Sequence, residues 1–132
     1  MDETVERWLA FAYEDLRVAE LALKEDIFNQ TCFHAQQCVE KALKGVLLHH
    51  HNRTPPHLHA IAELLRLLPT GWFAEVRADL IETMDNYYIP TRYPDALPGT
   101  LPEGLPGKPE AEEAVSLARI VIEEARRIVA SK

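Results

Sequence analysis

Basic residues are in short supply. The 132-residue chain sets 14 lysines and arginines against 21 aspartates and glutamates, a formal charge of −7. Such a surface has no broad cationic stripe for duplex phosphate, so any contact with nucleic acid must be local. Cysteine is scarce as well: Cys32 and Cys38 are the only two. Six positions apart on one helix, they point to different faces and cannot readily close on each other. They read as small core fillers of a reducing compartment. A run of about eighteen apolar residues, the minimum for a membrane-spanning helix, is missing. Met1-Asp2-Glu3-Thr4 opens the chain without a cationic region followed by an apolar stretch. A cytoplasmic protein with no membrane association is expected. What the chain does have is 47% hydrophobic residues, enough for one core, and a single domain over residues 1–132 is expected.

Periodicity predicts helices throughout. From Thr4 to Lys24, Trp8, Phe11, Ala12, Leu16, Ala19 and Leu23 recur three or four apart while charged residues fill the other sides. A second helix is expected from about Asn29 to His50, with Phe33, Gln36 or Gln37, Glu40, Leu43 and Leu47 on one spacing. Asn52-Arg53-Thr54-Pro55-Pro56 is a turn, since consecutive prolines cannot continue a helix. A third helix, His57 to Leu68, carries Ile61, Leu64, Leu65 and Leu68; a fourth, Trp72 to Tyr87, carries Phe73, Val76, Leu80 and Met84. Between Ile89 and Pro109, six prolines and three glycines make a long irregular excursion. The last helix, Glu110 to Ala130, turns Ala114, Val115, Ala118, Val121, Ile122, Ala125 and Val129 inward and Arg119, Arg126 and Arg127 outward. No strand signal competes. The fold expected is all-α, an up-and-down bundle of four to five helices with a proline-rich excursion before the last.

Three segments in order resemble the HEPN family, named for higher eukaryotes and prokaryotes nucleotide-binding. They are Trp8-x3-Ala12-x2-Asp15-Leu16-x2-Ala19, the string Cys32-Phe33-His34-Ala35-Gln36-Gln37-Cys38-Val39-Glu40-Lys41-Ala42-Leu43-Lys44, and Tyr88-x3-Arg92-Tyr93-Pro94-Asp95. His59 with Ile61, Leu64 and Leu65 is similar to the family's opening of the third helix, with Ala60 where an aspartate is common. The resemblance implies a helical bundle, commonly dimeric and often paired with a small nucleotidyltransferase in a toxin–antitoxin-like system. Many members are metal-independent ribonucleases that use an Arg-x4–6-His motif on a late helix. This chain departs from that pattern, because no histidine follows His59. The one literal match, Arg53-x5-His59, straddles the Pro55-Pro56 turn.

The residues with chemical potential fall into three groups. Tyr88, Arg92, Tyr93 and Asp95 sit where a guanidinium can meet a phosphate and a ring can stack on a base. The structural alternative has Arg92 paired with Asp15 or Glu40 and Tyr93-Pro94 stapling the loop to the bundle. His34, Gln37, Lys41 and Lys44 recur at three and four residues and line one stripe of the second helix, either a solvated face or the floor of a pocket. Five of the six histidines lie between His49 and His59, but three consecutive imidazoles at a helix end point in three directions, so no metal site and no cofactor are expected.

The leading expectation is therefore a nucleotide- or RNA-associated HEPN domain acting as binding or regulatory partner of a small nucleotidyltransferase, self-associating as a homodimer or higher oligomer. Its contacts would be Arg92, Tyr93, Tyr88, Asp95, Lys41, Lys44, His34 and Gln37. The alternatives are an endoribonuclease with Arg53 and His59 as catalytic pair, and a plain protein-interaction module.

Overall fold

The computed structural model describes residues 3–52, 57, 58, 60–87 and 105–131. All regular structure among these residues is helical. Three long helices, α1 (Glu3–Lys24), α2 (Phe28–His51) and α5 (Lys108–Ala130), form the frame, with α2 packed against both of the others. The turn between α1 and α2 is a Schellman motif. Asp26 takes a left-handed φ of 60°, the Ile27 N–H bonds the Ala22 carbonyl at 2.8 Å and the Asp26 N–H bonds the Leu23 carbonyl at 3.1 Å. So short a closure makes the two helices antiparallel, and Trp8 accordingly lies beside Gly45.

The stripe that α1 buries is Val5, Leu9, Ala12, Leu16 and Ala19, rotated from the one expected through Trp8 and Phe11. Phe11 is 55% exposed, and Trp8 is only partly covered. The cause is close approach of the two backbones. A Cβ on Gly45 would stand 3.1 Å from the Trp8 Cβ and 3.3 Å from Leu9 Cδ2, so the α1–α2 seam has room for alanines and not for aromatic rings. On α2 even Cys32, Ala35, Cys38, Val39, Ala42, Leu43, Val46 and Leu47 are buried, which is how a helix with neighbours on two sides must read. Asn52 ends it in a left-handed conformation, its N–H on the Leu48 carbonyl at 2.7 Å.

The third helix is shorter than its pattern. α3 spans only Ile61–Arg66, because the Asp85 carboxylate caps it there, accepting from the Ile61 N–H at 2.6 Å and the Ala62 N–H at 3.2 Å. The other end is held by the Arg77 guanidinium, which donates to the carbonyls of Leu65 (2.9 Å), Leu68 (3.2 Å), Pro69 (2.5 Å) and Trp72 (2.9 Å). The expected fourth helix, Trp72 to Tyr87, is broken. Phe73 has a left-handed φ of 60° and its N–H bonds the Glu124 carboxylate of α5. Regular α geometry lasts only for α4 (Arg77–Asp79), and gives way to a π segment (Leu80–Met84) and a 3-10 turn (Asp85–Tyr87). The apolar stripe survives these breaks, since Phe73, Val76, Leu80 and Met84 are all buried.

This limb runs antiparallel to α5, with Thr83 bonded to Glu113 near one end and Phe73 to Glu124 near the other. In α5 the seven expected inward residues are buried and Arg119, Arg126 and Arg127 are exposed. The helix begins two residues earlier than its pattern, behind Gly107, whose N–H donates to Glu110 Oε1 at 2.7 Å. Arg119 meets Glu20 at 2.7 Å and Arg126 lies over the Tyr13 ring at 5.3 Å, contacts that set α5 antiparallel to α1. The result is the expected all-α bundle. Most of the Asn52–Pro56 turn and of the proline-rich excursion lies outside the described residues.

Candidate functional site

A carboxylate on the core face of a helix must be paired or it destabilises the fold. Asp15 is such a residue: it follows Ala12 on the buried side of α1 and is 8% exposed. The antiparallel register brings it opposite His34 and Lys41 of α2, one imidazole and one ammonium two turns apart on the same face. Asp15 Oδ1 lies 2.9 Å from His34 Nδ1 and its Oδ2 accepts from Lys41 Nζ at 2.5 Å. Burial raises the Asp15 carboxyl; the hydrogen bonds from His34 and Lys41, with their charges, more than offset this and leave it lowered from the ordinary 3.8. Asp15 is thus a carboxylate at neutral pH. Holding Nδ1 turns the other ring nitrogen of His34 away from Asp15, and the ring is steadied edge-on by Phe33 at 5.3 Å between centroids.

One turn further along α2, Lys44 Nζ donates to Glu40 Oε2 at 2.9 Å, a pair whose side chains are 8% and 6% exposed. The Trp8 ring lies 5.8 Å from that ammonium. Gln37 donates through Nε2 to Gln36 Oε1 at 2.7 Å. The four-residue stripe His34, Gln37, Lys41, Lys44 is therefore a single part-buried polar seam along the α1–α2 junction, and its cationic members are matched by Asp15 and Glu40. What it presents outward is the His34 ring edge and the part-exposed Lys41 and Gln37. Lys44 is enclosed.

The remaining sequence-selected residues are distributed as follows. Arg53, His59, Tyr88, Arg92, Tyr93 and Asp95 lie outside the described residues. The two anchors considered for Arg92 are both engaged, Asp15 with His34 and Lys41 and Glu40 with Lys44. At the end of α2 the His50 and His51 rings pack on each other, tilted, at 4.6 Å between centroids; His50 also stands edge-on to Trp72 at 5.0 Å and His51 Nε2 lies 3.1 Å from the Leu67 carbonyl. Among the described residues no three His, Cys, Asp or Glu side chains are placed to hold a metal ion, and no helix is long and apolar enough to cross a membrane. Cys32 and Cys38 are buried free thiols.

Sequence reasoning had Asp15 as part of a motif and as a candidate anchor for Arg92, but not as the centre that gathers His34 and Lys41. The signal was there: an acid flanked by Ala12, Leu16 and Ala19 on an apolar stripe has to find cationic partners, and the polar stripe of α2 carries cations at the spacing it needs.

Comparison with known proteins agrees with this architecture. The family model described as "HEPN domain" matches residues 5–128. A Methanocaldococcus jannaschii protein named "Putative toxin MJ1304" is 31% identical over 122 residues, covering 85% of this chain and 79% of its own length. A crystal structure of an archaeal HEPN homologue superposes with a TM-score of 0.71 at 29% identity, covering 98% of this chain and 99% of the other. That of a protein from Thermus thermophilus gives 0.72 at 36% identity, covering 96% and 99%. With a family match from α1 to the last turn of α5, the same fold and an Asp15-centred seam built from the motif string itself, this chain belongs to the HEPN domain family.

Proposed function

We propose that this chain is the HEPN half of a toxin–antitoxin-like two-component system, which associates with nucleotide or RNA and is regulated through a small nucleotidyltransferase partner. The observation that carries the reading is the 31% identity, along most of both chains, to a family member named as a toxin. The geometry supports a binding role at the α1–α2 seam. A ligand phosphate approaching it meets Lys41 and the outward edge of His34, both oriented by Asp15 at 2.5 and 2.9 Å, so little side-chain freedom is lost on binding. Gln37 adds an amide beside them. Lys44, enclosed under Trp8, holds Glu40 and the local charge balance. Arg92 and Tyr93, with Tyr88 and Asp95, bring the complementary chemistry of the sequence, a guanidinium for phosphate and a ring for a base. Binding is local, as a chain of charge −7 requires.

The test is thermal denaturation with ATP and, separately, a short single-stranded RNA. A ligand at about a hundred times its dissociation constant stabilises by roughly 2.7 kcal/mol, a rise of several degrees. The rise is expected for the native chain and lost in Arg92→Ala and Lys41→Ala. Equal responses from all three proteins, or no response to either ligand, would end the reading.

A further inference from the structure

Asp15 does more to His34 than hold it. A carboxylate accepts hydrogen bonds and donates none, so the Nδ1 it meets at 2.9 Å carries the ring's proton, and in the neutral imidazole Nε2 keeps a free lone pair. That nitrogen is turned away from Asp15, at the ring edge the seam presents outward, on a side chain 26% exposed. The edge-on Phe33 ring fixes the plane in which the lone pair points. A carboxylate on Nδ1–H also raises the basicity of the ring and stabilises the positive charge that develops on it when Nε2 forms a bond. The other oxygen of the same carboxylate holds the Lys41 ammonium, part-exposed and placed to draw an anion to the seam. Among the described residues no other imidazole is bonded to a carboxylate. His51 Nε2 meets the Leu67 carbonyl, His50 packs on His51 and Trp72, and His49 is exposed.

We propose that His34 Nε2 is a phosphoryl-acceptor site, modified by a small phosphoryl donor of the phosphoramidate class. The Nε2 lone pair attacks phosphorus as the bond from phosphorus to the donor's amine breaks, and the amine departs with that electron pair. The proton stays on Nδ1. The ring becomes an N-phosphoryl imidazolium whose positive charge faces the Asp15 carboxylate, so no further proton has to move. Lys41, on the far oxygen of that carboxylate, offsets the charge of the incoming phosphoryl group. In the modified protein an anion faces outward where the native seam shows a cation, and the seam then repels phosphate instead of attracting it. The acceptor stands on the Asp15–His34–Lys41 geometry and holds whether or not the seam takes a nucleotide.

Potassium phosphoramidate and the full folded chain test this at about pH 8, where ordinary imidazoles are neutral. Peptide mapping by mass spectrometry under acid-free conditions gives the rate at each histidine, and phosphorus NMR gives the nitrogen modified. His34 is expected to be phosphorylated on Nε2 alone and about tenfold faster than the exposed His49. Asp15→Asn keeps an acceptor for Nδ1–H but removes the charge, and is expected to bring His34 down to the rate of His49. Lys41→Gln is expected to slow it several-fold while leaving His49 unchanged. The nitrogen modified and the ratio of His34 to His49 are both read on the native chain, so the test does not depend on a variant folding; circular dichroism checks that each variant does. A His34 no faster than His49, a phosphoryl group on Nδ1, or a rate indifferent to Asp15→Asn in a folded variant each overturns the proposal.

Discussion

Replacing Asp15 by asparagine keeps the shape of the side chain and removes its charge, which isolates what the carboxylate does at the α1–α2 seam. In the native chain it accepts from Lys41 at 2.5 Å and holds His34 at 2.9 Å. A hydrogen bond with a charged group contributes about 1.5–3 kcal/mol where water is excluded. Lys41 and His34 are 29% and 26% exposed on their side chains, so both regain water when the charge goes, and the lower end applies. The expected loss is about 2 kcal/mol for Asp15→Asn, with Asp15→Ala costing roughly 1 kcal/mol more for the cavity and the missing acceptor. In a domain of this size that lowers Tm by roughly 6–10 °C. The loss has a pH signature. The folded carboxyl is lowered from 3.8, so its contribution is fully present above the ordinary carboxylate range and disappears as pH falls through the lowered value. Denaturation followed by circular dichroism should show a full gap between native and Asp15→Asn at neutral pH that closes in acid. A variant as stable as native at neutral pH, or a gap that widens on acidification, refutes the role assigned to Asp15.

Two further outcomes concern the frame. Arg77→Lys should destabilise by about 2 kcal/mol, nearly as much as Arg77→Ala, because an ammonium cannot reproduce a planar fork that reaches four carbonyls; urea unfolding checks this, and a lysine variant equal to native would contradict it. Gly45→Val should cost about 2 kcal/mol, since its Cβ would press on Trp8 Cβ at 3.1 Å, an atom that moves only if α1 gives by a few tenths of an ångström, and branching adds bulk there; a thermal melt within about 2 °C of native would show that the helices can part.

The long helices were legible in their extent, and α5 also in its burial, because there spacing alone decides which face turns inward. In α5 every expected inward residue is buried, and the capping pair Gly107–Glu110 merely shifts the start. The limb after Gly71 was legible in its core and not in its backbone. Phe73, Val76, Leu80 and Met84 keep helical spacing, yet the conformation between them is fixed by Glu124, far away in the chain, and by the Arg77 clamp, neither of which leaves a local signature. The rotation of α1 was hidden for a similar reason. Trp8 and Phe11 are the bulkiest apolar residues of their helix, but a glycine and a set of alanines on the facing surfaces exclude rings, and only the pairing of two helices reveals that. The polar stripe of α2 was visible as a stripe. Its counter-charge was not, because Asp15 lies on another element.

The two cysteines have a practical consequence. Burial pushes the Cys32 thiol up to about 11 against the opposing hydrogen bond of Tyr87, and pushes Cys38 up further still. Both side chains are also closed off from solvent, and attack on alkylating reagents and disulfides proceeds through the thiolate, so at neutral pH the native pair is expected to react slowly while the fold is intact. A cysteine placed on the outside of the molecule would then be its sole reactive handle. Fluorophores, spin labels or cross-linkers can be attached position by position to the native background, and a slow signal from Cys32 or Cys38 becomes a clock for the opening of the bundle.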